Sequence, residues 1–381
     1  MMDQNTPLAG LRVVELARVL AGPWVGQLLA DLGADVIKVE SPEGDGTRQW
    51  GPPWIERADG TKEAAYYHAC NRGKRSIIAD FTNETDLAQV ADLCSRADVV
   101  IENFKPGTLD RFGLDYAAVS SGNAGVVYCS VTGFGQDGPR RNEPGYDFVI
   151  QAMSGMMSIT GEPEGEPMKM GISISDLTCG LYSTIAVQSA LLMRQRTGRG
   201  QHIDMALLDC SVSLLANQAL SFFATGENPA RMGNSHAQVV PYGVFEVADG
   251  EVVLAPANDR LFRALMRVLR RDDLADDLRL QDNAGRIANR DWMERELADE
   301  VRKWKRDTLL AHCRDAGVPA GPINAIVQVF EDPQVKARGM RMELDGVPSL
   351  RSPFRFSDAN LVFDKPSPRH GEHDGEIDFL D

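Results

Sequence analysis

Short β-branched runs alternating with helix-length amphipathic segments constrain this chain more than any other feature, because strands separated by helical crossovers pair in parallel. LRVVEL at 11–16 is followed by an apolar-periodic segment from Gly22 to Leu32 and then by VIKVE at 36–40, which together read as a βαβ unit. A second series comprises SIIADF (76–81), an amphipathic stretch at 84–96, ADVVIENF (97–104) and GVVYCSVTGFG (125–135), separated by Gly, Asn and Pro turns. The expected fold class is α/β, a Rossmann-like, doubly wound parallel sheet with helices on both faces. A long helix is expected over 177–196, stopped by TGRGQ, then a strand in QHIDMALLD and an apolar helix at 211–224.

The chain then changes character. Residues 225–242 are rich in Gly, Asn and Pro and lead into GVFEVADGEVVLAPAN, a hairpin turning at Asp249–Gly250. Charged helices between about 259 and 316 and the closing GVPAGPINAIVQVFEDP complete the expected smaller α+β domain, 225–325. Segments 1–224 and 326–381 form the large one, and DKPSPRHGEHDGEIDFLD, polar with Pro and Gly, reads as a surface tail. A chain of 381 residues, 43% hydrophobic, has the material for two cores.

The formal charge of −15 opposes a nucleic-acid backbone, so an anionic ligand needs a local basic pocket. No run approaches the roughly 18 apolar residues of a membrane span, and MMDQNTPLAG lacks signal-peptide order, so a cytoplasmic protein without a membrane partner is expected. The six cysteines are scattered without a CxxC pair or a His at ligand spacing, which predicts reduced, buried thiols and no metal site.

Glu40 ends the second strand where a dinucleotide enzyme keeps its ribose-binding acid, but ARVLAGPWVG carries Val19 and Leu20 where G-x-G-x-x-G needs close backbone approach. Basic residues interrupt the acidic background at Arg72, Lys74 and Arg75, at Lys105 and Arg111, and at Arg140 and Arg141. Several stand at strand-to-helix junctions, the ligand-binding edge of open parallel sheets, where phosphate is a suitable guest. Asp176, in GISISDLTCG directly before the long helix, reads locally as a helix cap.

Taken in order, LAGLRVVELARVLAGPWVGQLLADLGADVIKVESPEGDGTR, NRGKRSI, ADVVIENFKPGTLDRFGL, SVTGFGQDGP, GYDFVIQAMSG, SDLTCGLYS and TGRGQHID resemble the CaiB/BaiF (formyl-CoA transferase-like) family of class III CoA-transferases over nearly the whole chain. The resemblance implies that Asp176 is the catalytic carboxylate. It implies that Val19, Lys74, Asn103, Phe104 and Arg111 contact CoA, with Arg75 beside them in the basic cluster, and that Met193 lies near the adenine. CoA is then a substrate, with no tightly bound cofactor, and the partner is a second copy in an interlocked homodimer. GNSHAQVVPY occupies the place of the family's glycine-rich loop, making Gly233, Asn234 and His236 substrate candidates, together with Trp50.

Departures from the family pattern narrow the activity. The same fold hosts α-methylacyl-CoA racemases, whose His falls in GYDFVI and is Tyr146 here, and a phenol is a poor base at neutral pH. Leu20, Phe134 and Ser41 stand where the formyl-CoA:oxalate branch has Gln, Tyr and Arg, which argues against oxalate as acceptor. The central motifs resemble transferases that move CoA from succinyl-CoA or a similar donor to a dicarboxylic or hydroxy acid. The competing expectations are a racemase and a non-catalytic CoA-binding protein in which Asp176 only caps its helix.

Overall fold

The computed structural model describes residues 5–376 and 378–380. The chain divides into two compact units, one made of the N-terminal part through Met157, Lys169–Glu227 and Pro333 onward, the other of Ser158–Met168 and Asn228–Asp332.

In the first unit the order is β1 (Arg12–Glu15), α1 (Ala21–Asp31), β2 (Asp35–Glu40), β3 (Arg75–Ile78), α2 (Glu84–Arg96), β4 (Val99–Glu102), β5 (Val127–Thr132), α3 (Asp147–Met153), α4 (Ile174–Thr197), β6 (Gln201–Ala206), α5 (Leu207–Ser213) and α6 (Ala216–Thr225). The six strands make one parallel sheet in the order β3-β2-β1-β4-β5-β6. Strand alternation sends Val13, Val99 and Val127 into a core with α1 and α4, and Val14, Val100 and Tyr128 into a second core with α2. Every residue of β4 and β5 is buried, as a sheet covered on both faces requires. The strand order reverses between β1 and β4, so a crevice opens beyond their C-terminal ends, the place where such sheets take ligands.

Helices α1 and α4 cross closely at Gly180, where an added Cβ would stand 2.9 Å from the Ala21 carbonyl oxygen. Gly198, at φ +70°, ends α4 within the TGRG stop. The apolar helix expected at 211–224 is instead two helices, α5 and α6, bent by 71°, and Ala216 at φ +42° interrupts the helical run between them. Among the described residues no single helix is long and apolar enough to cross a membrane.

The C-terminal segment does more than trail over the surface. Ser76 O accepts from His373 N–H, and Asp374 accepts from Ile78 N–H, so this segment covers the exposed edge of β3. Tyr67 hydroxyl and Arg48 also donate to Pro368 O. A polar segment whose acceptors satisfy an edge strand is structural despite its hydrophilic composition.

The second unit holds an antiparallel hairpin of β7 (Gly243–Val247) and β8 (Gly250–Leu254), with β9 (Ala320–Pro322) beside β8. Phe245, Val252, Phe262, Leu265 and Leu309 build its core. Its boundaries differ from 225–325 because 158–168 joins it: Gly233 N–H donates to Gly161 O, and Arg231 donates to the carbonyls of Glu162 and Gly165. No hydrophobic period marks so short a polar insertion.

Candidate active site

The loop leaving β1 shapes the crevice. Asn103, just after β4, accepts from Arg18 N–H at 3.0 Å and donates to Arg18 O at 2.6 Å, continuing the β1–β4 pairing with a side-chain amide. The next residue, Val19, sits at φ +73°, a left-handed conformation costing a β-branched side chain about 1–2 kcal/mol. Its N–H is held by the Asp45 carboxylate at 3.2 Å and its carbonyl accepts from the Cys70 thiol. With these backbone groups engaged, the loop offers a ligand its side chains.

A cavity of about 280 Å³ lies at this point, lined by Arg18, Ser41, Asp45, Phe81, Phe104, Arg111 and their neighbours. Phe81 packs against both Phe104 and Phe112. The Arg18 guanidinium lies 5.3 Å from the Phe104 ring centroid and that of Arg111 4.7 Å from Phe112, and neither forms an ion pair among the described residues. Two cations lying over aromatic rings without ion-pair partners among the described residues suit an anionic, ring-bearing ligand.

Lys74 and Arg75 are placed differently. Lys74 Nζ is buried and bonded to Glu15 Oε1 at 2.9 Å, Pro23 O at 2.8 Å and Asn71 Oδ1 at 2.9 Å. Arg75 pairs with Asp35 and donates to the carbonyls of Glu376 and Asp378. All three of Lys74's protons are used inside the protein, and the Arg75 fork is likewise engaged, so both side chains belong to the interior rather than to the crevice wall. Gly26 shows how tight that interior is: a Cβ there would overlap Glu15 Oε2, and only glycine admits the carboxylate between α1 and β1. Arg72 pairs with Asp31, and Arg140 with Glu143. Glu40, the residue at the ribose-acid position, is locked to Arg48 and Ser76; burial pushes its carboxyl up, but Arg48 and Lys38 hold it down at about 2.

Asp176 occupies the first turn of α4, one turn from the close contact of Gly180 with α1. The expected self-capping does not occur. Ser173, at the N-cap position, makes no side-chain cap, and the N–H of Ser175 is instead accepted by Asp147 Oδ1 of α3 at 2.9 Å. The Asp176 carboxylate accepts no hydrogen bond from the described residues. Burial, reinforced by the nearby Asp147 charge, pushes it up to about 7. An ionised carboxylate held back from water and from donors is more basic, and hence more nucleophilic, than a solvated one.

Tyr66 stands beside it, its hydroxyl pushed up chiefly by burial and further by the Asp176 charge, and Trp50 meets the Tyr66 ring edge-on at 5.2 Å. Trp50 is thus connected to the start of α4. Met193 is not: it lies 17 residues further along the same helix, roughly 25 Å away at 1.5 Å per residue, 46% exposed. Gly233, Asn234 and His236 belong to the second unit, where Gly233 is clipped to Gly161 and His236 Nδ1 accepts from Gln238 N–H. Tyr66, Asp147, Gln151 and Arg18 went unnoticed in the sequence, although GYDFVIQAMSG and ARVLAGP contain three of them.

Known proteins resemble this chain over nearly its whole length. A succinate–glutarate CoA-transferase of Agrobacterium fabrum is 50% identical over 384 residues, covering 99% of this chain and 96% of that protein. A succinyl-CoA:glutarate CoA-transferase of Mus musculus is 37% identical, covering 98% and 86%. A solved CaiB/BaiF family protein from Brucella suis superposes with a TM-score of 0.89 at 56% identity, covering 98% of this chain and all of that one. The sequence profile of CoA-transferase family III matches residues 8–374, from just before the first strand into the C-terminal segment, and the chain belongs to that family as a CoA-transferase.

Proposed function

We propose that this enzyme moves CoA from succinyl-CoA to a C5 dicarboxylate such as glutarate, with Asp176 as the residue transiently acylated. The observation that carries the reading is the Asp176 carboxylate itself, at a helix start yet without a hydrogen-bond partner among the described residues and pushed up to about 7. The substrate pair is supported by the names of the relatives at 50% and 37% identity.

The chemistry follows from residue type. Asp176 attacks the thioester carbonyl, forming a mixed succinyl–aspartyl anhydride and expelling CoA thiolate. The thiolate attacks the aspartyl carbonyl, releasing succinate and leaving an aspartyl-CoA thioester. The acceptor carboxylate attacks that thioester, giving a new anhydride and thiolate, and the thiolate's attack on the acceptor's carbonyl regenerates Asp176. A carboxylate suits this cycle because an anhydride conserves the reactivity of the thioester, which a serine ester would dissipate. The positive end of α4 would stabilise negative charge developing on the carbonyl oxygen.

Arg18 and Arg111 would hold the phosphates of CoA in the crevice, with Asn103 and Val19 shaping its wall. Gly233, Asn234 and His236 remain candidates for enclosing the acceptor. The test is a mass-spectrometric exchange screen with succinyl-CoA and acetyl-CoA as donors and glutarate, mesaconate and oxalate as acceptors. Succinyl-CoA with glutarate is expected to give the highest kcat/KM. A higher value for acetyl-CoA with oxalate, the pair named for a 38% identical relative from Acetobacter aceti, would overturn the substrate assignment.

The family resemblance to interlocked homodimers is supported by an outward apolar stripe on α4. Leu181, Ile185 and Leu192, spaced to lie on one helical face, are each 46–63% exposed. Light scattering is expected to give twice the chain mass of 41.7 kDa, and a monomeric mass at micromolar concentration would refute the dimer.

A further inference from the structure

An aspartate in the first turn of a helix has a competing occupation. Its carboxylate is attracted by the orphan N–H groups and the positive end of the helix. A carboxylate so engaged has its lone pairs tied up and is a weaker nucleophile. In α4 one of those N–H groups is taken from outside: Asp147, from α3, accepts the Ser175 N–H through Oδ1.

Asp147 is itself held. Its Oδ2 accepts from Gln151 Nε2 at 2.7 Å, one turn along α3, and Gln151 Oε1 accepts from Met170 N–H at 2.9 Å. Gln151 is 1% exposed, and its amide is oriented by both contacts, so the bracket ties α3, the 170–172 approach and the start of α4 into one unit. A buried amide with one donor and one acceptor accounted for fixes the carboxylate it serves.

We propose that Asp147, braced by Gln151, is a positioning residue for Asp176: by capping α4 from a neighbouring helix it keeps the nucleophile's carboxylate out of the cap and free to attack. This rests on Asp176 being the acylated residue. Asp147 has a second effect in the same direction. The groups facing Asp176 are Asp147 of α3 and, from the Ala65–His68 helix, the Tyr66 hydroxyl; the negative neighbour favours the protonated acid and so raises its basicity.

The test compares Asp147→Ala and Asp147→Asn, each as full-length enzyme with the active fraction fixed by titration of acylated sites. In Asp147→Ala the Ser175 N–H loses its acceptor and the helix start is left to attract the Asp176 carboxylate. We expect kcat per active site to fall about 30-fold or more, KM for succinyl-CoA to stay within about three-fold, and the acid limb of kcat/KM to move to lower pH by about one unit. Asp147→Asn keeps an amide oxygen for Ser175 but removes the charge. Its kcat should stay within about five-fold of wild type while the acid limb still moves down. An Asp147→Ala enzyme with wild-type kcat per active site and an unmoved acid limb overturns the proposal, even if it is less stable. Activity surviving in Asp176→Ala overturns instead the reading on which it rests, so the two failures are distinguishable.

Discussion

Asp176→Ala is expected to lower CoA exchange by about 10³-fold or more, because no other described residue beside the start of α4 offers a carboxylate free of hydrogen bonds to carry the acyl group. Incubation with succinyl-CoA and hydroxylamine should inactivate the wild type by trapping the aspartyl thioester, and mass spectrometry should place the hydroxamate on residue 176. Trapping elsewhere, or exchange surviving in Asp176→Ala, contradicts the assignment.

The same side chain gives a stability prediction of opposite sign. Burial and the Asp147 charge raise the carboxyl from its ordinary value near 4 to about 7 in the folded protein. The folded state therefore favours the neutral acid: its contribution to stability is full below pH 4 and is lost as pH rises through about 7. Asp176→Asn, neutral at every pH, should be more stable than wild type at pH 8 by about 1–2 kcal/mol once partial solvent exposure is discounted, and equal to it at pH 4. Urea midpoints at the two pH values decide this, and a gain independent of pH would count against the raised carboxyl. The catalytic rate should rise with pH through the same range, since only the anion attacks.

Lys74 and the arginine pair should behave in reverse of one another. Lys74→Ala is expected to cost about 3–5 kcal/mol, since it removes one partner from a fully buried charge cluster around Glu15 and leaves Asn71 Oδ1 and Pro23 O without their donor. Lys38 also bonds Glu15, at 3.1 Å, and limits the loss. Enzyme that remains folded should keep its KM for acyl-CoA within about two-fold. Arg18→Gln and Arg111→Gln should leave the urea midpoint unchanged and raise that KM about ten-fold each, the scale of one charge-assisted phosphate contact. A ten-fold KM effect at Lys74 with normal stability would return that residue to the ligand.

The contrast shows where local information ends. Both Lys74 and Arg111 are basic residues near strand ends, and nothing in their neighbours along the chain distinguishes them. Their fates differ because Glu15, 59 residues earlier, points into the space beneath Gly26 and claims Lys74, while Arg111 lies over the Phe112 ring with no ion pair among the described residues. Arg18 is hidden for the converse reason: ARVLAGP offers no local signal for it, and the Asn103 staple and the left-handed turn at Val19 bring it to the same cavity as Arg111. The α5–α6 break is equally unreadable, since SVSLLANQALSFFAT carries no charged residue and no Gly or Pro.

What the sequence determined by itself was whatever repeats at short range. Alternation of β-branched runs with amphipathic segments is enough to specify the parallel sheet, and the ordered motifs place Asp176 at the start of a long helix. What the tertiary structure decided was which polar groups find partners. Ion pairs and caps are made between residues tens to hundreds of positions apart, as with Asp147 and Ser175, Glu15 and Lys74, or Ile78 and Asp374. Whether a charged side chain is spent inside the fold or left free for chemistry depends on those meetings, and a residue's own neighbourhood in the chain does not contain them.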